Sequence, residues 1–365
     1  MKNIVFGITN LNTGGAEKTL VDITNKLCDK YNITILTLYG GGDLQKNLSE
    51  KIKIININKN KLNKIQKKLF SIKLLLFKKI IYKKYIKNKF DVEIAFLEGA
   101  VTYLFSTKNE NAKKIAWIHT DISKIFGSGL ISKLKKFINN KIYKKYNQII
   151  FVSLATLESF NKTYNIDITQ KIIHNYINSE NIIKKSDENI DFKFDNKYIN
   201  FLSVCRFVEA KALERLIKIH YNLINEGFIH KIYLIGYGPL ENKLYELIVK
   251  LNVINTFIIL GKKSNPFPYM KACDCFLLTS YYEGFPMVLA EAKILNKHIF
   301  ATDTAGIETL SDYENKTIAK NNEKSIYEGL QKLINQGINI GSNYKYTNNN
   351  ILEQIINLLE SGEEV

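Results

Sequence analysis

Glu283 and Glu291 flank the turn Gly284-Phe285-Pro286, with seven residues between the two carboxylates. Gly284 and Pro286 set the turn, and a helix is expected to start near Pro286. The first amides of a helix have no partner inside it and carry partial positive charge. They suit an anion such as a diphosphate. Glu291, in the second turn, can accept two hydrogen bonds from a vicinal diol such as a ribose. Glu283 precedes the turn and points at whatever lies beyond the phosphates. Two carboxylates around an anion site fit a sugar attached to a nucleoside diphosphate. The plainer alternative is a capping Glu283 and a solvent-facing Glu291.

Cations stand where such an anion needs them. The chain has 50 lysines but only two arginines, and Arg206 ends an apolar run with Lys211 five residues on. A guanidinium binds phosphate oxygens in bidentate fashion, and an ammonium adds a point charge. A surface ion pair with Glu209 or Glu214 is the competing reading. Gly236-Tyr237-Gly238-Pro239 reads as a tight turn between strand and helix, where glycine lets a ligand approach the backbone. His119 follows the apolar run Ala116-Trp117-Ile118.

These residues sit on loops that follow strands. Strands are expected at 3–9, 32–38, 92–97, 114–118 and 148–153, with a glycine turn at 12–15 and a helix at 16–30. The pattern restarts with strands at 199–204, 231–235, 256–260, 275–279 and 298–301. Helices are expected at 212–226, 240–251, 266–272 and 286–295, with further helical stretches at 323–337 and 349–361. The fold class is α/β, with two Rossmann-like doubly wound domains facing across a cleft and helices at the C-terminal end. The expected division is a first domain over 1–178, a polar linker over 179–198, a second domain over 199–345 and a C-terminal helix over 346–365.

Charge separates the halves. Residues 1–180 hold 31 lysines against 13 acidic residues, whereas residues 181–365 hold 21 basic and 22 acidic residues. Segment 59–89 alone has 12 lysines, interleaved at helical spacing with Leu62, Ile65, Leu69, Ile72, Leu76 and Ile80. Segment 133–146 repeats the character. A basic amphipathic helix suggests an anionic membrane surface; the alternative is an ordinary face in a lysine-rich chain. Four cysteines form no disulfide framework, and Cys273-Asp274-Cys275 lacks the second ligand pair of a zinc site. No apolar run approaches the roughly 18 residues of a membrane span, and no export signal is read near Met1. A cytoplasmic location is expected.

Together these motifs resemble the family 4 glycosyltransferases, which have the GT-B fold and a Glu-x7-Glu motif. The resemblance covers Gly14-Gly15-Ala16-Glu17, Trp117-Ile118-His119-Thr120-Asp121, Arg206 to Lys211, Gly236 to Leu240, Asn265-Pro266-Phe267, and Glu283 to Glu291 through Ala305-Gly306. It implies a retaining, metal-independent transferase acting on a nucleotide sugar, UDP-linked by prior. Glu291 would bind the ribose, and Arg206 and Lys211 the diphosphate. Glu283, with the backbone of Gly284 and Phe285, would hold the sugar. The amides of Met287 and Val288 beyond Pro286 would touch phosphate. Gly15 would lie close to donor or acceptor, and Gly236 would line the donor. His119 would face the sugar as a catalytic group beside Glu283, Arg206 and Lys211. One departure is Ala212, where the family usually has glycine.

The implied acceptor is a glycan or lipid-linked molecule of cell-surface polysaccharide or lipopolysaccharide synthesis. The protein would lie peripherally on the inner face of the cytoplasmic membrane, through 59–89 and 133–146. No cofactor, no metal and no nucleic acid is expected. Two rivals remain: a GT-B sugar-nucleotide epimerase, and a basic nucleic-acid-binding protein, for which no binding module is seen.

Overall fold

The structure, a computed structural model, describes every residue except 13, 61, 88, 123–129, 339–340, 342–343, 345–349 and 362–365. The chain forms two compact units, Met1–Tyr176 with Asn348–Val365, and Ile177–Thr347. The expected start of the C-terminal helix segment, near 346, lies outside the described residues, as does Thr13 of the first turn.

The first unit is a parallel sheet of seven strands: β1 (Asn3–Ile8), β2 (Asn32–Tyr39), β3 (Lys53–Asn58), β4 (Val92–Ala95), β5 (Lys113–Ile118), β6 (Gln148–Phe151) and β7 (Thr169–Ile172). Their order is β3-β2-β1-β4-β5-β6-β7. Its helices are α1 (Gly15–Leu27), α2 (Lys64–Tyr85), α3 (Ala100–Phe105), α4 (Leu130–Tyr143), α5 (Leu154–Thr163) and, from the far end of the chain, α12 (Ile351–Glu360). The second unit repeats the plan with β8 (Ile199–Arg206), β9 (His230–Tyr237), β10 (Phe257–Gly261), β11 (Cys275–Leu278), β12 (His298–Thr302) and β13 (Lys316–Ala319). Their order is β10-β9-β8-β11-β12-β13. Helices α6 (Ser179–Ser186), α7 (Leu213–Asn225), α8 (Glu241–Lys250), α9 (Phe267–Ala272), α10 (Met287–Ile294) and α11 (Glu323–Gln336) complete it.

Both sheets are the expected doubly wound α/β kind. Side chains alternate between the faces of a strand, and in the second sheet both faces are buried. Phe201, Ile232, Leu234 and Leu277 pack on one side, and Leu202, Tyr233, Ile235 and Leu278 on the other. That is why the central strands read as unbroken apolar runs. Strands β3, β7 and β13 are additional to the expected set. They are edge strands, half exposed, and their sequences carry polar residues throughout.

Two expectations on domain limits need correction. Segment 179–198 is not a free linker: Ile182 is buried, and Phe192 and Phe194 pack edge-on against Tyr233 at 5.3 and 4.8 Å. The segment belongs to the second unit because Ile182, Ile190, Phe192 and Phe194 pack into that unit's core. The C-terminal helix α12 is not a separate appendage either. It buries Ile355, Leu358 and Leu359 in the first unit, and Lys2 and Lys113 donate to its last carbonyls, at Leu359 and Leu358. Cations suit that end of a helix.

A buried charge anchors α2. The Lys114 ammonium lies 2.8 Å from Glu93 Oε2, and both side chains are almost wholly buried. Tyr82 of α2 donates its hydroxyl to Glu93 at 2.6 Å, and Asn109 donates to the same carboxylate at 2.8 Å. Burial holds the Lys114 pKa below its ordinary value. Removing one partner strands the other charge in an apolar interior. Lys114→Met is therefore expected to cost about 3–5 kcal/mol in urea unfolding of the whole chain. A loss within error of zero would show that the pair does not hold α2.

Candidate active site

In an open parallel sheet, ligands bind outside the carboxyl ends of the strands, where the strand order reverses. In the second unit that point lies between β8 and β11. The loops leaving these strands carry Arg206 to Lys211 and Thr279 to Pro286. The fold therefore brings together the two segments that the sequence singled out.

Their side chains meet. Lys211 Nζ donates to Glu283 Oε1 at 2.6 Å, and Ser280 Oγ donates to the same oxygen at 2.5 Å. Both partners of the ion pair are largely shielded, with side chains 19% and 11% exposed. Glu283 is thus not a lone carboxylate waiting beyond a phosphate site; it is tied to the phosphate-binding candidate. Neither Glu209 nor Glu214 takes Lys211: Glu214 pairs instead with Lys243 at 2.7 Å. Arg206 is exposed at the end of β8, and its side chain makes no hydrogen bond or ion pair with the described residues.

The backbone fixes these loops. Tyr281 N–H donates to Ala210 C=O at 2.8 Å, which joins the β8 loop to the β11 loop. Arg215 of α7 donates from Nη2 to Thr279 C=O at 2.7 Å and stacks over the Tyr281 ring at 4.4 Å. Thr302 at the end of β12 donates to Ser280 C=O at 2.8 Å. Arg215 is the chain's second arginine, and its use as a brace was not foreseen. Its rarity among 50 lysines was the available signal.

Helix α10 starts at Met287 with Pro286 as its N-cap. Phe285 and Val288 rest partly against the core, so it is their backbone that can face a ligand. Glu291 is 5% exposed on the same helix, not on a solvent-facing surface. Gly306 (φ +79°) supports the turn from behind. A Cβ there would meet Pro286 Cδ at 2.5 Å and Gly284 C=O at 3.0 Å. Gly236 has a structural reason of its own: a Cβ there would fall 1.9 Å from Cys205 C=O. Close packing of β9 on β8 requires that glycine, with no ligand needed to explain it.

Ala212 resolves the departure noted in the sequence. It keeps the left-handed conformation, at φ 51° and ψ 35°, between Lys211 and the start of α7. A residue with a Cβ is disfavoured there by about 1–2 kcal/mol. The loop holds the glycine-like backbone, and Lys211 with it, at the expense of local strain. Ala212→Gly is expected to raise the melting temperature by about 2–4 °C, since the relief of strain exceeds glycine's added chain entropy. A lower melting temperature would mean that the Ala212 methyl contributes more to packing than its backbone loses.

The first unit reverses strand order between β1 and β4. Gly15 is the exposed first residue of α1, after β1. Glu98 follows β4, and one carboxylate oxygen accepts from the backbone N–H of His119 at 2.5 Å and of Thr120 at 2.7 Å. Glu98 thereby ties the loop after β5 to the loop after β4. Nothing in its spacing announced that task. Asp121, in the same motif as His119, is taken by the Ser159 hydroxyl. The His119 ring lies against Phe96 at 4.6 Å, and its buried Nε2 has no partner among the described residues. Burial pushes the imidazole pKa down to about 3. The depressed value means that the neutral ring is the form favoured by folding. At neutral pH the His119 ring is therefore uncharged. Its NMR ring signals should stay flat between about pH 5.5 and 8, where an unperturbed histidine titrates; a midpoint near 6.5 would contradict this environment.

The four cysteines are unpaired, and Cys273 and Cys275 are buried small side chains of the second core. Among the described residues no group of three or more His, Cys, Asp or Glu side chains is placed to hold a metal ion. No described helix is long and apolar enough to cross a membrane.

Comparison with known proteins follows the same lines. Residues 184–351 match the family model described as glycosyl transferases group 1. The chain is 31% identical over 207 residues to N-acetylgalactosamine-N,N'-diacetylbacillosaminyl-diphospho-undecaprenol 4-alpha-N-acetylgalactosaminyltransferase of Campylobacter jejuni, covering 56% of this chain and 55% of that one. It is 23% identical over 276 residues to poly(ribitol-phosphate) alpha-N-acetylglucosaminyltransferase of Staphylococcus aureus, covering 72% of this chain and 54% of that one. The chain thus spans about half the length of these curated relatives. Among solved structures it resembles HepE of Anabaena in complex with UDP and glucose, with a TM-score of 0.69 at 15% identity over 98% of this chain and 99% of that one. The two Rossmann-like units are those of a GT-B fold, and over residues 184–351 the chain is similar to the glycosyl transferases group 1 family.

Proposed function

We propose that the protein is a retaining glycosyltransferase that moves a hexosyl or N-acetylhexosaminyl group from a nucleotide sugar, UDP-linked, to a glycan or lipid-linked acceptor. The observation that carries this reading is the Lys211–Glu283 pair, 2.6 Å apart at the point where the second sheet reverses its strand order. The likeness to transferases whose names specify a diphospho-undecaprenol-linked glycan and poly(ribitol-phosphate) supports the acceptor class. Cell-surface polysaccharide or lipopolysaccharide synthesis is the setting that such acceptors imply, at the cytoplasmic face of the membrane.

The chemistry follows from charge. Breaking the bond between the anomeric carbon and the phosphate leaves negative charge on the departing diphosphate, and stabilising it is the main task. Lys211 has three N–H donors, so one can stay on Glu283 while the others meet phosphate oxygens. Arg206 supplies a second cation, and the start of α10 supplies amide donors. Glu283, oriented by Lys211 and Ser280, is then set toward the sugar hydroxyls, and Glu291 toward the ribose. These groups supply the stabilisation without a metal ion, which is the reading we propose.

Arg206→Ala and Lys211→Ala are each expected to lower turnover by on the order of 10²-fold or more, as loss of a charge-stabilising donor does. Near-normal rates in both would overturn the assignment. Activity should survive EDTA. A thermal-shift panel of UDP- against GDP-sugars should show stabilisation by the UDP series; a response to GDP-sugars alone would reassign the donor.

A further inference from the structure

Helix α2 carries two apolar faces, and only one of them is used by the fold. Phe70, Leu74, Ile81 and Tyr82 face the core. Ile65, Leu69, Ile72 and Leu76 recur at helical spacing on the opposite side, Ile80 follows beyond a kink at Phe77, and all five are exposed, from 47% at Ile72 to 73% at Ile65. The stripe that the sequence showed is therefore the outer face of the helix. Leu134, Phe137 and Ile138 of α4 are exposed as well. Exposed apolar side chains grouped on neighbouring helices in this way mark an interaction surface.

The charge around it is of one sign. Helix α2 holds eight lysines and α4 four, and neither contains an aspartate or glutamate. Between α2, α3 and α4 lies a groove of about 610 Å³, with walls from Leu76, Phe77, Phe137 and Ile138 and cations from Lys78, Lys141 and Lys145. Lys78 donates to Ser106 Oγ at 2.7 Å and lies 4.2 Å over the Tyr103 ring. Its charge has neighbours of its own sign: burial first, then Lys145 and Lys114, bring its pKa down to about 7. The groove holds more positive charge than its walls neutralise.

We propose that the outer faces of α2 and α4 dock into an anionic phospholipid bilayer, with the apolar stripe inserted among the acyl chains and the groove seating a lipid phosphate. Charge complementarity selects this occupant. A second copy of the same surface would set one array of lysines against another with no carboxylate between them. A polyanion such as a nucleic acid would satisfy the lysines but leave the apolar stripe in water. A bilayer with anionic headgroups satisfies both at once. The inference shares with the proposed function only the idea that the acceptor lies at a membrane. Vesicle binding and donor binding are measured separately, so either can fail alone.

The test is co-sedimentation of the full chain with vesicles of phosphatidylcholine alone, or mixed with about a third of phosphatidylglycerol. Two triple variants accompany it, Leu69→Ser/Ile72→Ser/Leu76→Ser and Lys68→Gln/Lys73→Gln/Lys79→Gln. All six positions are exposed, and circular dichroism with melting curves verifies the fold. Wild type should bind the anionic vesicles tenfold or more tightly than the neutral ones at low salt, and keep part of that binding at high salt through insertion. The serine variant should lose on the order of tenfold or more on anionic vesicles at either salt. The glutamine variant should lose mainly the preference for anionic lipid. UDP-sugar thermal shifts should be unchanged in both. No wild-type binding to anionic vesicles, or a serine variant that binds like wild type, overturns the proposal. So does sedimentation velocity showing a wild-type dimer that the serine variant dissolves, which would make the stripe a contact between copies.

Discussion

The ion pair between Lys211 and Glu283 joins the two loops that leave the second sheet on either side of its reversal. A pair on the open surface would be worth little. This one is mostly shielded from water, and its hydrogen bonds are shared with Ser280. Its importance is positional, and the surrounding structure is arranged around it. Ala212 accepts a left-handed backbone just after the lysine. Gly306 leaves room behind the turn just after the glutamate. Arg215 and Thr302 hold the strand-end carbonyls in between. A lysine that must serve both a carboxylate and an incoming anion needs such a frame, since its own four-carbon stem is flexible.

The first unit meets a different physical problem. Helix α2 is long, yet only a narrow face of it is buried. The Tyr82 hydroxyl reaches an internal carboxylate that is itself neutralised by Lys114, so the helix is pinned through a polar network as well as through Phe70 and Leu74. A satisfied buried network fixes one arrangement and penalises others. That pinning lets the outer face be chosen for something other than folding. The loops at the sheet's carboxyl ends are secured separately, by Glu98 holding the amides of His119 and Thr120.

Much of this was legible in the sequence, for identifiable reasons. Central strands such as β8 and β11 are buried on both faces and so read as apolar runs. Edge strands such as β3 mix isoleucine with asparagine and lysine, so their pairing is decided by the neighbouring strand and not by composition. Glycine and proline marked the turn before α10 directly. The partners of those site residues were harder to read. Glu98 and Arg215 act on backbone groups more than 20 and 60 residues away, and no local pattern encodes a contact of that range. The stripe on α2 was visible as a period, but a period does not say which face the core will take. Segment 179–198 misled because its charged residues outnumber the four apolar side chains that dock it.

Helix α12 lies at the end of the chain but belongs to the first unit, where Ile355, Leu358 and Leu359 are buried and Tyr31 donates to Glu360 at 2.7 Å. During synthesis the ribosome delivers β1 to β7 long before it delivers that helix, with the whole second unit in between. The first unit therefore waits with an unfilled apolar seat while the second folds. A chain broken off before α12 would leave that seat open while the second unit, which takes nothing from this helix, is already whole.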